Sequence, residues 1–227
     1  MRPARYAIIP TNGRPCMFDA VEAISRQVDK VMVIDTSGSL MGGSFNDHIF
    51  HYPGKTDEIN ISRWWNNGLD IVVRHVQQKI TTGDGILPIP TKWDVAILND
   101  DTIVPEGWFD AVAGQMRDKR AVGASSGSPI GMSVLHTRSG PRPLDQRMQG
   151  FAFIVAGETG IRADEQFAWY CGDDDLEWRL SASGGVVVIP GFPVQHLHPN
   201  GQVTPEIHEL IAKDMQSFVD KWGTRPW

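Results

Sequence analysis

Apolar runs that stop abruptly in acidic residues constrain this chain most. Val95-Ala96-Ile97-Leu98 leads straight into Asn99-Asp100-Asp101. Four consecutive apolar residues without alternation fit a strand buried on both faces, in a sheet covered by helices on each side. Carboxylates at its end then stand at the sheet's carboxyl edge, where open α/β folds bind ligands. Val31-Met32-Val33-Ile34 repeats the pattern and ends in Asp35-Thr36-Ser37-Gly38-Ser39. A second acidic cluster, Asp173-Asp174-Asp175, precedes the helical stretch Leu176-Glu177-Trp178-Arg179-Leu180.

The order of elements follows from the same kind of signal. Tyr6 to Ile9 is β-prone and ends in the loop Pro10-Thr11-Asn12-Gly13-Arg14-Pro15. Phe18, Val21, Ile24 and Val28 recur at helical spacing before the Val31–Ile34 strand. The chain thus starts β-loop-α-β-loop, which predicts a parallel sheet. Residues 61–78 predict a helix with Trp65, Leu69, Val72, Val73 and Val76 inward, and residues 79–92 a loop or mobile excursion. Pro105-Glu106-Gly107 opens a helix whose inner face is Trp108, Phe109, Val112 and Met116. Residues 123–150, rich in Gly, Ser, Pro and Arg, predict a long surface region with one or two short strands. Residues 151–156 and 186–189 predict further strands. Thr204 as N-cap, Pro205 at the first helical position and Gly223 after the end frame a C-terminal helix.

With 227 residues and no internal repeat or linker, one domain over residues 1–203 is expected, with the helix and tail of 204–227 packed on it. A net charge of −6 argues against a general nucleic-acid binder. Cys16 and Cys171 give neither a metal-ligand spacing nor a disulfide framework, so a reduced, cytoplasmic protein is the simplest expectation. No apolar stretch approaches the ~18–20 residues that span a bilayer.

Each acidic or histidine cluster has an ordinary use beside its chemical one. Asn99-Asp100-Asp101 fits an Asp-rich turn. It also fits a divalent-cation site, because Mg²⁺ favours one or two carboxylates plus phosphate oxygens. Asp173-Asp174-Asp175 can cap a helix N-terminus, or supply a base for an attacking hydroxyl. Trp169 and Tyr170 nearby could pack an acceptor sugar ring, while Trp178 is expected in the core. His196 and His198 share one face of an extended segment; a zinc hydrolase would need further ligands that the tract lacks. Asp35 is either a turn former or a hydrogen-bond acceptor for a base or ribose. Asn66-Asn67-Gly68 is unusual inside a helix, and ligand contact is one reason for it.

In order, these pieces resemble the family 2 inverting glycosyltransferases of GT-A fold, in the rhamnosyl- and galactofuranosyl-transferase-like branch, from Ala7 to about Gly201. Ile9-Pro10-Thr11-Asn12-Gly13-Arg14 is similar to the opening strand and loop. Val33-Ile34-Asp35 resembles the base-contacting segment, Arg63 to Gly68 the "R-x-x-N-x-G" helix, and Leu98 to Asp101 the branch's D-x-D-like motif. Trp169 to Leu180 is similar to "YYEDVDL-x-x-R", with Gly172 in place of the Glu, and residues 189–196 resemble the histidine-bearing ending.

The resemblance implies an α/β GT-A domain with a mixed, mostly parallel sheet. It implies transfer from a UDP-, dTDP- or GDP-linked sugar to a glycan, protein or small-molecule acceptor, with Mn²⁺ or Mg²⁺. The donor would meet Pro10, Thr11, Asn12, Arg14, Asp35, Arg63, Asn66, Asn99 and Asp100. Asp101 and His196, with His198 in reserve, would hold the metal. Asp173 would be the base, with Asp174 as the alternative and Asp175 a second acid near the acceptor. Trp169 and Tyr170 would face the acceptor. A homo-oligomer is compatible. The rivals are a module that binds nucleotide or glycan without transfer, because of Asn99 and Gly172, and a sugar-phosphate nucleotidyltransferase, for which Thr11-Asn12-Gly13-Arg14 is a poor loop.

Overall fold

The structure is a computed structural model that describes residues 2–38, 40, 49–53, 56, 58–81, 92–128, 131–198 and 204–227. Its strands are β1 (Ala4–Thr11), β2 (Lys30–Asp35), β3 (Ile49–Pro53), β4 (Trp93–Leu98), β5 (Thr102–Ile103), β6 (Gly123–Ser128), β7 (Val134–His136), β8 (Ala152–Ala156), β9 (Val186–Pro190) and β10 (Gln195–His196). Its α-helices are α1 (Met17–Ser25), α2 (Ile61–Thr81), α3 (Trp108–Asp118), α4 (Gly172–Ser183) and α5 (Pro205–Trp222).

Eight strands form one twisted sheet in the order β3-β2-β1-β4-β8-β6-β9-β7. The β3-β2-β1-β4 half is parallel, as is β6 with β9; β8 runs antiparallel to both its neighbours, and β7 antiparallel to β9. The continuous apolar runs are explained by burial on both faces. Ala7, Ile9, Val31, Val33, Ala96 and Leu98 pack with α1 and α3. Their neighbours Tyr6, Ile8, Met32, Ile34, Val95 and Ile97 pack with α2 and α4. A third cluster joins α4 to α5 through Phe167, Cys171, Trp178 and Phe218.

Most expected elements are present, with three differences. Phe18 is exposed, because α1 turns Met17, Ala20, Val21 and Ile24 inward, and Val28 lies beyond the helix. The region 123–150 is not all surface: β6 is an inner strand with Ala124, Ser125 and Ser126 fully buried. Its small residues admit close packing, since a Cβ on Gly123 would stand 2.9 Å from Leu180 Cδ1. With so few large apolar side chains, β6 carries no hydrophobic run. Finally, α2 continues to Thr81, and the rest of the expected loop, up to residue 91, lies outside the described residues.

The end of α5 is capped as its sequence predicts. Thr204 Oγ1 accepts the Ile207 N–H at 3.3 Å, and Gly223 takes a left-handed φ of 74°. No helix among the described residues is long and apolar enough to cross a membrane.

Candidate active site

The parallel pairing of β1 with β4 sets their carboxyl-end loops side by side, with Ile8 opposite Ile97. Thr11 Oγ1 donates to Asp100 Oδ2 at 2.7 Å. Arg14 spans both acids: Nε donates to Asp100 Oδ2 at 3.2 Å, Nη1 to Asp101 Oδ2 at 3.1 Å, and Nη2 pairs with Asp100 Oδ1. The repulsion between adjacent carboxylates is therefore relieved by a guanidinium from the chain itself. The hydrogen bond to Asp100 raises the Arg14 pKa further.

Asp101 Oδ1 is different. It is buried and makes no hydrogen bond. His196 Nε2 stands 3.2 Å away, within ion-pair reach but off the hydrogen-bond direction. The short antiparallel pair of β5 with β10 brings the two together, with His196 opposite Thr102, and the Leu197 N–H donates to the Asp101 carbonyl at 2.9 Å. Phe151 stacks on the imidazole at 4.5 Å between centroids and fixes its plane. Burial pushes the Asp101 pKa up, but His196 and Arg14 outweigh it and hold the carboxyl below its ordinary value.

These groups form one wall of a cavity of about 820 Å³, within the range of small-molecule sites. Of the residues singled out in the sequence, Pro10, Thr11, Asn12, Arg14, Asn99, Asp100, Asp101, His196, His198 and Trp169 line it. Ile59, Ile61, Trp64 and Ile207 also line the cavity, a more apolar stretch of wall that the sequence did not mark as functional. The helical tract Arg63–Gly68 carried a signal for Trp64, since its stripe accounts for Trp65 and leaves the neighbouring indole turned elsewhere. Nothing in the composition of 204–207 marked the start of α5 as a cavity wall.

Asp35, Arg63, Asn66 and Tyr170 lie outside that lining, and so do the three acids of α4, Asp173, Asp174 and Asp175. Asp35 is fully buried and its oxygens are filled. Oδ1 accepts from Ser37 N, Ser37 Oγ and Gly38 N, and Oδ2 from Leu40 N, with His51 Nε2 at 3.1 Å. It shapes the turn whose Thr36 and Ser37 do line the cavity. Arg63 pairs with Glu58 and Glu165. Asn66 bonds Ala163 through both amide atoms, at 2.8 and 3.0 Å. That contact, together with Gly68, where a Cβ would strike Ile8, accounts for Asn and Gly inside α2 without a ligand. Tyr170 stands instead on the outer surface beside α4.

The three acids of α4 divide sharply. Asp175 is fully buried, and its oxygens are occupied by Arg179 Nε of α4 (2.7 Å) and by Trp222 Nε1 (2.9 Å) and Lys221 Nζ (2.7 Å) of α5. The expectation that it acts near the acceptor is corrected: it anchors α5. Asp174 accepts from Arg147 Nη1 at 2.6 Å, and burial, with the charge of Asp173, pushes its pKa up to about 8. Asp173 is half-buried, and its carboxylate rests on the backbone of Gly150, where a Cβ would collide with it. Burial raises its pKa also, so it is a stronger base than an exposed aspartate.

Two backbone features place these acids. Cys171 takes a left-handed φ of 57° at the start of α4, an uncommon conformation for a residue with a side chain. Gly172 faces α2 so closely that a Cβ would stand 2.7 Å from Ser62 Oγ. The absence of a side chain at Gly172 is thus matched by a serine filling the space. The loop before α4 is also tied to α5, because Asp214 Oδ2 accepts the N–H groups of Trp169 (2.7 Å) and Tyr170 (2.8 Å). Asp214 sits in the helical stripe between Ile211 and Phe218, an acid where an apolar residue would be expected.

A divalent cation fits this donor set only in part-protein form. Among the described residues, no three His, Cys, Asp or Glu side chains converge on one point. The unfilled Asp101 Oδ1 and the nearby His196 Nε2 offer two ligands, and Mg²⁺-type sites commonly complete such a pair with phosphate oxygens and water. His198 is exposed at the cavity rim.

The large, mostly parallel sheet flanked by helices, with a C-terminal helix packed on it, is like a GT-A fold. The chain is similar to the crystal structure of residues 1–349 of TarS from S. aureus, a glycosyltransferase. The TM-score is 0.56 over 96% of this chain and 72% of that one, at 10% identity, a likeness of fold. No family model matches the sequence, and no curated protein does.

Proposed function

We propose that the protein transfers a sugar from a nucleotide-diphosphate sugar to an acceptor hydroxyl. The observation that carries the reading is the buried, unfilled Asp101 Oδ1 facing His196 in the wall of the cavity. A buried carboxylate oxygen that makes no hydrogen bond costs about 1–3 kcal/mol, and a cation held there would offset that cost. The GT-A fold supports the same reading.

In this scheme Thr11, Asn12 and Arg14 meet the donor, and Asn99 and Asp100 shape the floor beneath it. Asp101 and His196 would hold Mn²⁺ or Mg²⁺, which would supply positive charge to offset that on a departing diphosphate. Asp173 accepts the proton of the acceptor hydroxyl. That oxygen bonds to the anomeric carbon from the face opposite the diphosphate. The old carbon–oxygen bond breaks with its electron pair leaving on the diphosphate, and the centre inverts.

One observation favours a second reading, a module that binds nucleotide without transfer: Arg14 already neutralises Asp100 and one oxygen of Asp101. The experiment is an assay for nucleoside diphosphate release from UDP-, dTDP- and GDP-linked sugars with Mn²⁺ and a mixture of glycan acceptors. Release from one donor class supports transfer. Metal-dependent binding with no release from any donor supports the module.

A further inference from the structure

Trp227 lies far from α4 in sequence but is carried to its acidic end. The Arg142 N–H donates to the Pro226 carbonyl at 3.3 Å, and Pro226 is buried. The Arg147 guanidinium then sits over the Trp227 ring at 4.9 Å, while its Nη1 bonds Asp174 at 2.6 Å. Tyr170 meets the same indole edge-to-face, with centroids 5.9 Å apart. Large aromatic rings normally bury themselves, yet here Trp227 is 47% and Tyr170 38% exposed.

These rings are also held rigidly. Asp214 fixes the Tyr170 backbone, and Arg147, itself about nine-tenths buried, is clamped between Asp174 and the indole. The pair lies at the start of α4, where Arg147 joins the indole to Asp174, the neighbour of the half-buried Asp173, and Asp173 is within electrostatic reach of both the Tyr170 phenol and Arg147. A half-exposed, pre-ordered aromatic pair beside a carboxylate suits a sugar ring. The C–H face of a pyranose covers apolar ring surface, while its hydroxyls need acceptors and donors such as Asp173 and Arg147.

We propose that Trp227 and Tyr170 form a binding subsite for the acceptor, and that the acceptor presents a sugar ring there. This rests on the transferase reading and adds to it the chemical class of the acceptor and a residue outside the motif-bearing region. Arg147 positions the indole by stacking on it and holding it beside the acids.

The test uses the full chain and its Trp227→Ala and Trp227→Phe variants. The probes are methyl glycosides of glucose, galactose, mannose and N-acetylglucosamine, followed by saturation-transfer NMR, with nucleoside diphosphate plus Mn²⁺ binding recorded alongside. We expect the wild type and Trp227→Phe to transfer saturation to the ring protons of at least one glycoside. Trp227→Ala should weaken that binding roughly five- to tenfold, the scale of one aromatic contact, with nucleotide affinity unchanged. Equal glycoside binding by Trp227→Ala, or no glycoside binding by a wild type that does bind nucleotide, overturns the subsite. A wild type that binds neither nucleotide nor glycoside overturns the subsite and the transferase reading together. Thermal melts of both variants separate loss of the ring from loss of the fold.

Discussion

His196 Nε2 stands 3.2 Å from Asp101 Oδ1 although the two residues are 95 positions apart, and that oxygen has no hydrogen bond. The contact depends on the two-residue pairing of β5 with β10. By contrast Asp100, one residue earlier, is filled on both oxygens by Thr11 and Arg14. Adjacent acids therefore have different work. Asp100 ties the β1 and β4 loops together, and Asp101 keeps one buried oxygen without a hydrogen bond beside His196.

The division of labour in α4 predicts different fates for neighbouring substitutions. Asp173→Asn should lower turnover by roughly 10²-fold or more at unchanged donor affinity, as loss of a general base does. Asp175→Asn should instead destabilise the fold by about 3 kcal/mol, by leaving Arg179 and Lys221 without their shared partner. Steady-state kinetics and urea denaturation of both variants check this. Near-normal turnover in Asp173→Asn removes Asp173 from the role of base.

Gly172 and Ser62 form a packing pair. Gly172→Ala should cost about 1–3 kcal/mol, the range for overpacking a tight contact, because its Cβ would stand 2.7 Å from Ser62 Oγ. Ser62→Ala removes that oxygen, so the double variant should recover much of the loss. A double-mutant cycle in urea reads the coupling directly, and additive losses would show that Ser62 is not the obstacle.

Buried acids around α4 give stability an unusual pH slope. Burial raises the pKa of Asp173, of Asp174 to about 8, and of Glu177 to about 7, above the ordinary carboxyl range. A raised carboxyl pKa means that the native state holds protons which the unfolded state has released. Stability from these groups is then complete below the unfolded pKa values near 4 and is lost as pH rises through about 7 to 8. Asp35 and Asp101, with lowered pKa values, act oppositely, but only below about pH 4. The melting temperature should therefore rise as pH falls from 8.5 to 5.5, and Glu177→Gln should flatten part of that slope. A melting temperature that climbs with pH across this window would contradict the arrangement.

The sequence showed the parallel half of the sheet because β1, β2 and β4 are buried on both faces and carry unbroken apolar runs. It did not show β6, whose Gly-Ala-Ser-Ser strand is buried by close approach and not by large side chains. One wall of the cavity was legible, since Thr11, Arg14, Asp101 and His196 carry chemistry in recognisable tracts. The apolar stretch of wall was not, because Ile59, Trp64 and Ile207 differ from core residues only in where the folded helices point them. The same limit applied to Asp35 and Asp175: in sequence they are acids beside a motif, and only the hydrogen bonds that fill them reveal structural posts.

The most direct measurement is calorimetric titration of UDP, dTDP and GDP into the protein, with and without Mn²⁺, repeated with Asp101→Asn. The account predicts that at least one nucleoside diphosphate binds far more tightly with the metal, and that Asp101→Asn, still folded, loses most of that gain. Binding that is unaffected by both the metal and the substitution would contradict it.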